Sequence, residues 1–299
     1  MPKTRFYKAF GFIIESDFAI AQIPEISGGE ADVRIVRADL SGLPPQERKF
    51  LREGAVYARV AGLAVFRITD GCLIQVDPEP DCMDSRLGVF LMGSSMGAIL
   101  HQRGLIPLHG SCVTDGRRSV LLTGDSGAGK STLAAEFLRR GWKLITDDVS
   151  VLYDVDGTPV VQSSYPSQKL WKDALDRYDR PDADIHSLYF TDHREKFGVD
   201  VTRFFYDGRA PLSAVVRLIP GAPVCALNAL EGMVKVDQLL RNTYRVNMIE
   251  PRNQNRHFQR CVTLSTKIPM AVVTRTSGAD CAANMYELIT KFLEEHYHD

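Results

Sequence analysis

Residues Ser119-Val120-Leu121-Leu122-Thr123-Gly124-Asp125-Ser126-Gly127-Ala128-Gly129-Lys130-Ser131-Thr132 decide how this chain folds. The first five form a continuous apolar run rather than an alternating one, which predicts a short strand buried on both faces. Gly124 to Ser131 is a full match to G-x-x-x-x-G-K-[ST], the phosphate-binding P-loop. Its glycines free the backbone for conformations that a Cβ forbids, so that successive N–H groups face one anion. From Lys130 to Arg140, Leu133, Phe137 and Leu138 share one helical face. Arg139 and Arg140 suit the negative end of that helix, and Gly141 stops it. Strand, glycine-rich loop and helix in this order predict an α/β core that binds a nucleoside triphosphate.

In such a loop Gly124, Asp125, Ser126, Gly127, Ala128, Gly129, Lys130, Ser131 and Thr132 line the nucleotide. Lys130 reaches the β- and γ-phosphates, and the Ser131 hydroxyl holds the metal. ATP and Mg²⁺ are the expected cofactors.

The next strand, Trp142-Lys143-Leu144-Ile145, ends at Asp147-Asp148, only 17 residues after Lys130. Neighbouring residues at a strand end point different ways, so one carboxylate can fix Mg²⁺ while the other takes the proton of an acceptor hydroxyl. Upstream, His109 precedes two runs, Ser111 to Thr114 and Ser119 to Thr123, that read as a hairpin around Asp115 to Arg118. That hairpin brings His109 beside the loop. Lys196, in His193-Arg194-Glu195-Lys196, is a candidate to close over the triphosphate, although a solvated charge run accounts for it as well. Arg241, Arg245 and Arg252 with Tyr244 form a basic-aromatic strip that ordinary surface explains equally.

The bulk composition excludes several classes. With 44% hydrophobic and 24% charged residues, the 299-residue chain is an ordinary soluble protein. A net charge of -1 leaves no basic footprint, which argues against nucleic acid. Six scattered cysteines without a CxxC pair argue for reduced thiols in the cytoplasm and against a disulfide scaffold or a zinc site. The apolar run Gly88 to Leu100 falls short of the roughly 18 residues of a membrane span. It predicts a buried helix over 86–102 with Gly104 as its cap, and no membrane association.

Residues 1–84 read as a small β-rich N-terminal module, a candidate for binding the acceptor. Its strands are Phe10 to Ile14 and Asp32 to Val36, with a hairpin of Val56 to Ile68 and Cys72 to Val76 across Thr69-Asp70-Gly71. Residues 85–299 form the P-loop domain. Its later strands are Leu212 to Leu218, Val224 to Leu230 and Met270 to Arg275. A closing helix over 279–296 carries Met285, Leu288, Ile289, Phe292 and Leu293 as core positions.

Leu108-His109-Gly110, the loop Gly124 to Ser131, and Arg140-Gly141-Trp142-Lys143-Leu144-Ile145-Thr146-Asp147-Asp148 together resemble the catalytic core of HPr kinase/phosphorylase. The likeness is specific over 105–152 and looser through Tyr165-Pro166-Ser167-Gln168-Lys169-Leu170-Trp171 and Glu195-Lys196-Phe197. It implies a fold related to phosphoenolpyruvate carboxykinase, and a catalytic set of His109, Lys130, Asp147 and Asp148. Asp148 is expected on Mg²⁺ with Ser131 and Asp147 nearer the acceptor, a division that this reading leaves reversible. Thr132 stands where the family has glutamate, and the E-x-R-G-x-G-like signature tied to the phosphorylase reaction is absent from the sequence.

The layout is also similar to stand-alone HPr-kinase-like proteins of ribosomal peptide clusters, including kinases of lasso-peptide precursors. The shared parts are a β-rich front beginning near Tyr7 to Gly11, then Arg103-Gly104-Leu105-Ile106-Pro107-Leu108-His109, the loop and the aspartate pair. This resemblance implies a serine kinase acting on a peptide or protein, with homo-oligomers as in the family. A small-metabolite kinase and a nucleotide-dependent binding switch are the alternatives.

Overall fold

The strand Ser119–Thr123 has every residue buried because it runs inside a nine-stranded mixed sheet. On one side it pairs antiparallel with Ile106–Thr114, Ser119 opposite Thr114 and Thr123 opposite Gly110. On the other it pairs parallel with Ala214–Pro220, itself parallel to Met270–Arg275. The computed structural model of the chain describes residues 3–42, 49–52, 54–82, 84–175, 185–191, 194–276 and 281–296.

Alternation along the central strands sends side chains to two different cores. Val113, Val120 and Leu122 meet the helices Lys130–Arg139 and Cys281–His296 through Leu133, Phe137, Met285, Ile289 and Phe292. Cys112 and Leu121 face the helices Met233–Arg241 and Pro251–Lys267 through Val236, Leu239, Cys261 and Leu264. Each such side chain, fully buried, contributes about 1.5–3 kcal/mol. The chain is thus a mixed α/β protein. A three-stranded sheet of Ser167–Trp171, Ile185–Thr191 and Arg194–Asp200 lies beside helix Lys130–Arg139, joined to it by Leu170 and Val199. The closing helix starts at Cys281, and the expected first turn at 279–280 lies outside the described residues.

Residues 5–78 build a separate eight-stranded sheet. Two sequence expectations change here. Phe10-Gly11 is not strand but the two-residue turn joining Arg5–Ala9 to Phe12–Ser16, with φ of 57° and 79°. Tertiary packing overrides the β-propensity of Phe10. Its ring is buried edge-on to Tyr165 at 6.0 Å, and its N–H donates to the Ser164 carbonyl at 3.2 Å. The run expected over Val56 to Ile68 is two strands, Ala55–Val60 and Ala64–Thr69, which turn back near Gly62. The hairpin across Asp70-Gly71 forms as expected, with φ of 58° and 64° suiting a type I′ turn.

The helix expected over 86–102 is Asp84–Phe90 and Met96–Gln102 joined by a π-helical turn, Leu91–Ser95. Tyr244 lies against it. A Cβ on Gly93 would stand 3.1 Å from the Tyr244 hydroxyl, and one on Gly97 3.0 Å from its ring. Leu87, Leu91, Met96 and Ile99 share one buried cluster with the eight-stranded sheet and with Val149, Tyr165 and Met248. No described helix is long and apolar enough to cross a membrane.

Candidate active site

The glycine-rich loop is held from below. A Cβ on Gly124 would stand 2.7 Å from the Leu218 carbonyl, and one on Gly129 2.5 Å from Arg275 Nη1; both glycines have positive φ. Arg275 Nη1 donates to the Ala128 carbonyl at 3.0 Å, and the Asn242 side-chain oxygen accepts the Gly124 N–H at 3.3 Å. Asp125, Ser126 and Gly127 form an exposed tip over buried Ala128, with Arg217 at 3.8 Å from Asp125. Gly129 caps helix Lys130–Arg139, and Ser131 and Thr132 occupy its half-buried first turn. Lys130 reaches back across the loop, donating to the carbonyls of Gly124 at 2.8 Å and Asp125 at 3.1 Å.

Strand Ile106–Thr114 delivers the acidic pair. Lys143–Thr146 and Val149–Val155 both pair with its same edge, Thr146 opposite Cys112 and Val149 opposite His109. This register sets Asp147 opposite Ser111 and Asp148 opposite Gly110. The Ser111 hydroxyl donates to Asp147 Oδ1, and the Ser131 hydroxyl donates to the same oxygen at 3.2 Å. Asp147 Oδ2 accepts the Lys169 N–H at 2.8 Å. Asp148, at a φ of 73°, turns elsewhere. Its Oδ2 accepts from Lys169 Nζ at 2.7 Å, and its Oδ1 lies 3.5 Å from His109 Nδ1. His109 Nδ1 is also 2.9 Å from the Asp148 carbonyl, and its ring lies 6.0 Å from that of Tyr244.

Loop, Lys130, Ser131, His109 and both aspartates are thus brought together. Asp147 stands beside Ser131, and Asp148 beside His109 and Lys169. Both aspartates lie in the bend between Lys143–Thr146 and Val149–Val155, where the left-handed backbone of Asp148 sends the two side chains apart and leaves Asp147 on Ser111 and the helix start. Alternation along Ile106–Thr114 accounts for Cys112, which points away from Ser111 into the opposite core, where burial pushes its thiol up. Lys196 pairs through its backbone with Trp171; its side chain lies outside the described residues.

Sequence reasoning missed Lys169. It is buried, and burial disfavours its charge. The Asp148 carboxylate outweighs that and holds the ammonium well above the ordinary lysine range. A lysine between Gln168 and Leu170 in a short strand reads as surface, and only the tertiary pairing reveals it. Gln168 adds a bond to the Ser131 carbonyl at 3.0 Å. One carboxylate and one hydroxyl at hydrogen-bond distance suit Mg²⁺, which keeps water and phosphate oxygens as its other ligands. Among the described residues no cluster of three His, Cys, Asp or Glu forms an all-protein metal cage.

Residues 105–173 match the HPr Serine kinase C-terminal domain. The matched segment runs from the strand bearing His109 through the loop and the aspartate pair past Lys169, and is under a quarter of the chain. The HPr kinase/phosphorylase of Clostridium beijerinckii is 43% identical over 56 residues, 19% of this chain and 18% of that protein. The HPr kinase/phosphorylase of Lacticaseibacillus casei is 42% identical over 59 residues, 20% and 18% of the two chains. The chain thus spans under a fifth of the length of the curated relatives it matches. The structure of the Hpr(Ser) kinase/phosphatase from Coxiella burnetii aligns with a TM-score of 0.34 and 12% identity, over 63% of this chain and 91% of that one.

Proposed function

We propose that this chain is an ATP-dependent kinase that transfers the γ-phosphate to a serine hydroxyl of a peptide or protein. The observation that carries the reading is the split aspartate pair, with Asp147 on the P-loop serine and its neighbour Asp148 turned to Lys169 and His109. The HPr kinase segment, which encloses all of these residues, supports the same reaction class.

In this reading the loop N–H groups and Lys130 hold the β- and γ-phosphates. Ser131 and Asp147 hold Mg²⁺, which when bound offsets the phosphate charge. Asp148 accepts the proton of the serine hydroxyl, and Lys169 fixes that carboxylate in place. His109, anchored on the Asp148 carbonyl, stands where it can stabilise developing charge.

We further propose that the acceptor is the precursor of a ribosomal peptide of the lasso class. Asp148 and His109 side chains are 19% and 32% exposed, so a flexible peptide can reach them from solvent. The eight-stranded sheet, packed beside the site through Tyr165, offers a surface for the rest of the peptide. A cytoplasmic location and a homo-oligomer go with this proposal.

The test is transfer from γ-labelled ATP with Mg²⁺ to a serine-containing precursor peptide. Wild type should label the serine, and Asp147→Asn and Asp148→Asn should each label it far more slowly under the same conditions. Full activity in both variants would remove the assignment. Phosphate release with no labelled peptide would favour a binding switch.

A further inference from the structure

Cys225 and Cys281 stand apart from the other cysteines. Their sulfurs are 3.2 Å apart although 56 residues separate them in the chain. Cys225 precedes strand Leu227–Ala229 and is partly exposed, whereas Cys281 is buried at the start of helix Cys281–His296. An S–S bond measures about 2.05 Å, so roughly one ångström of approach separates the thiol pair from a disulfide. Burial disfavours the Cys225 thiolate, but the Thr276 N–H, the Cys281 thiol and Arg275 outweigh it and lower the thiol. Burial and the Cys225 sulfur raise Cys281. One sulfur is therefore set up to react and the other to follow. By contrast Cys261 is pushed up to about 12 by burial.

The pair is wired to the glycine-rich loop. Cys225 Sγ lies 3.8 Å from the Thr276 hydroxyl. The neighbouring backbone is locked to the same strand end: Thr274 N–H donates to the Ala226 carbonyl at 2.8 Å, and the Gly221 and Ala222 N–H groups each donate to the Arg275 carbonyl at 3.1 Å. Arg275 is the residue whose guanidinium bonds Ala128 and packs under Gly129. Arg275, next to Thr276 in the chain, thus links this strand end to the loop.

We propose that Cys225 and Cys281 form an oxidation site that a hydroperoxide converts to a disulfide, loosening the glycine-rich loop through Arg275. The thiolate of Cys225 attacks the peroxide oxygen, giving a sulfenic acid on Cys225 and releasing the alcohol or water. The Cys281 thiolate then displaces hydroxide from that sulfur. Together two thiols and one hydroperoxide give one disulfide, one alcohol (water from hydrogen peroxide) and one water. A thiol reductant reverses it. Such reversible bonds are the kind found in reducing compartments.

The full-length chain is treated with hydrogen peroxide, quenched, alkylated and mapped by mass spectrometry, with amide hydrogen exchange followed in a peptide covering residues 124–132. The expected product is a crosslinked 225–281 peptide pair, two mass units lighter than the dithiol. Exchange in the loop should be at least about 3-fold faster and should return to the starting rate with dithiothreitol. Cys225→Ser should show neither change, and because that position is partly exposed the variant is expected to fold. Cys281→Ser should stop at oxidised Cys225 without a crosslink. Oxidation confined to exposed Cys72 overturns the proposal, and so does a crosslink that leaves loop exchange unaltered. Both readouts are independent of nucleotide binding, so they stand or fall separately from the kinase reading.

Discussion

Replacing Lys169 with methionine removes one partner of a buried ion pair and leaves the other in place. Breaking such a pair costs about 3–5 kcal/mol when the remaining charge is fully enclosed. Asp148 is 19% exposed and has His109 nearby, so part of the charge is relieved, and a loss of about 2–3 kcal/mol is expected for Lys169→Met. For a chain of this size that lowers Tm by about 3–5 °C. Because the ammonium is held above its ordinary value, the contribution of the pair is complete below about pH 10.5 and lost only as pH rises through the raised value. The stability difference between Lys169→Met and wild type should accordingly be constant from about pH 7 to pH 9. The double variant Lys169→Met/Asp148→Asn is neutral at both positions and should recover most of the loss. Transfer activity separates stability from chemistry: kcat should fall about 100-fold in Lys169→Met, with the KM for ATP little changed, and should fall no further when Lys169→Met is added to Asp148→Asn. Urea or thermal melts and steady-state kinetics provide the numbers. A single variant as stable as wild type, or multiplicative kcat losses in the double variant, would show that Lys169 does not act through Asp148.

Asp147→Asn should raise the Mg²⁺ concentration for half-maximal transfer by about 10-fold, while Asp148→Asn lowers kcat with that requirement unchanged; a metal titration of the residual activity distinguishes them. Gly129→Ala places a Cβ 2.5 Å from Arg275 Nη1 at a φ of 102°, and a urea titration should show a loss of about 1–2 kcal/mol. Asp115 accepts the N–H groups of Arg117 at 2.9 Å and Arg118 at 2.7 Å. Burial alone would raise its carboxyl, but those bonds and the Arg118 guanidinium prevail and lower it. Its stabilisation is therefore present above the ordinary carboxylate range and is lost as pH falls through the depressed value, so Asp115→Asn should lose less stability than wild type in acid melts.

The core was legible in the sequence because its signals are local. A continuous apolar strand, a full glycine motif and a helix with its stop at Gly141 all lie within one stretch, and each part sets its own conformation. His109 was legible because a hairpin register, fixed by the turn at Asp115 to Arg118, measures its distance from the loop. Lys169 was not, since nothing around it in the chain announces a carboxylate brought there from 21 residues away. Phe10 was misread for the same kind of reason. Its left-handed backbone is sustained by Tyr165 and Ser164, which lie far along the chain. Which carboxylate lies beside Ser111 and Ser131 was undecidable from adjacency alone, because it is set by the bend between two strands and the left-handed backbone of Asp148.

The π turn at Leu91–Ser95 makes two stretches of the chain a single unit of exchange. Tyr244 occupies the space that side chains at Gly93 and Gly97 would fill, and its ring lies 6.0 Å from that of His109. A front half transplanted from a relative with alanines at those positions would displace the tyrosine beside the histidine. Grafting of this sheet and helix between homologues should succeed only when residues 93, 97 and 244 travel together, and those three positions should vary in concert wherever the arrangement occurs.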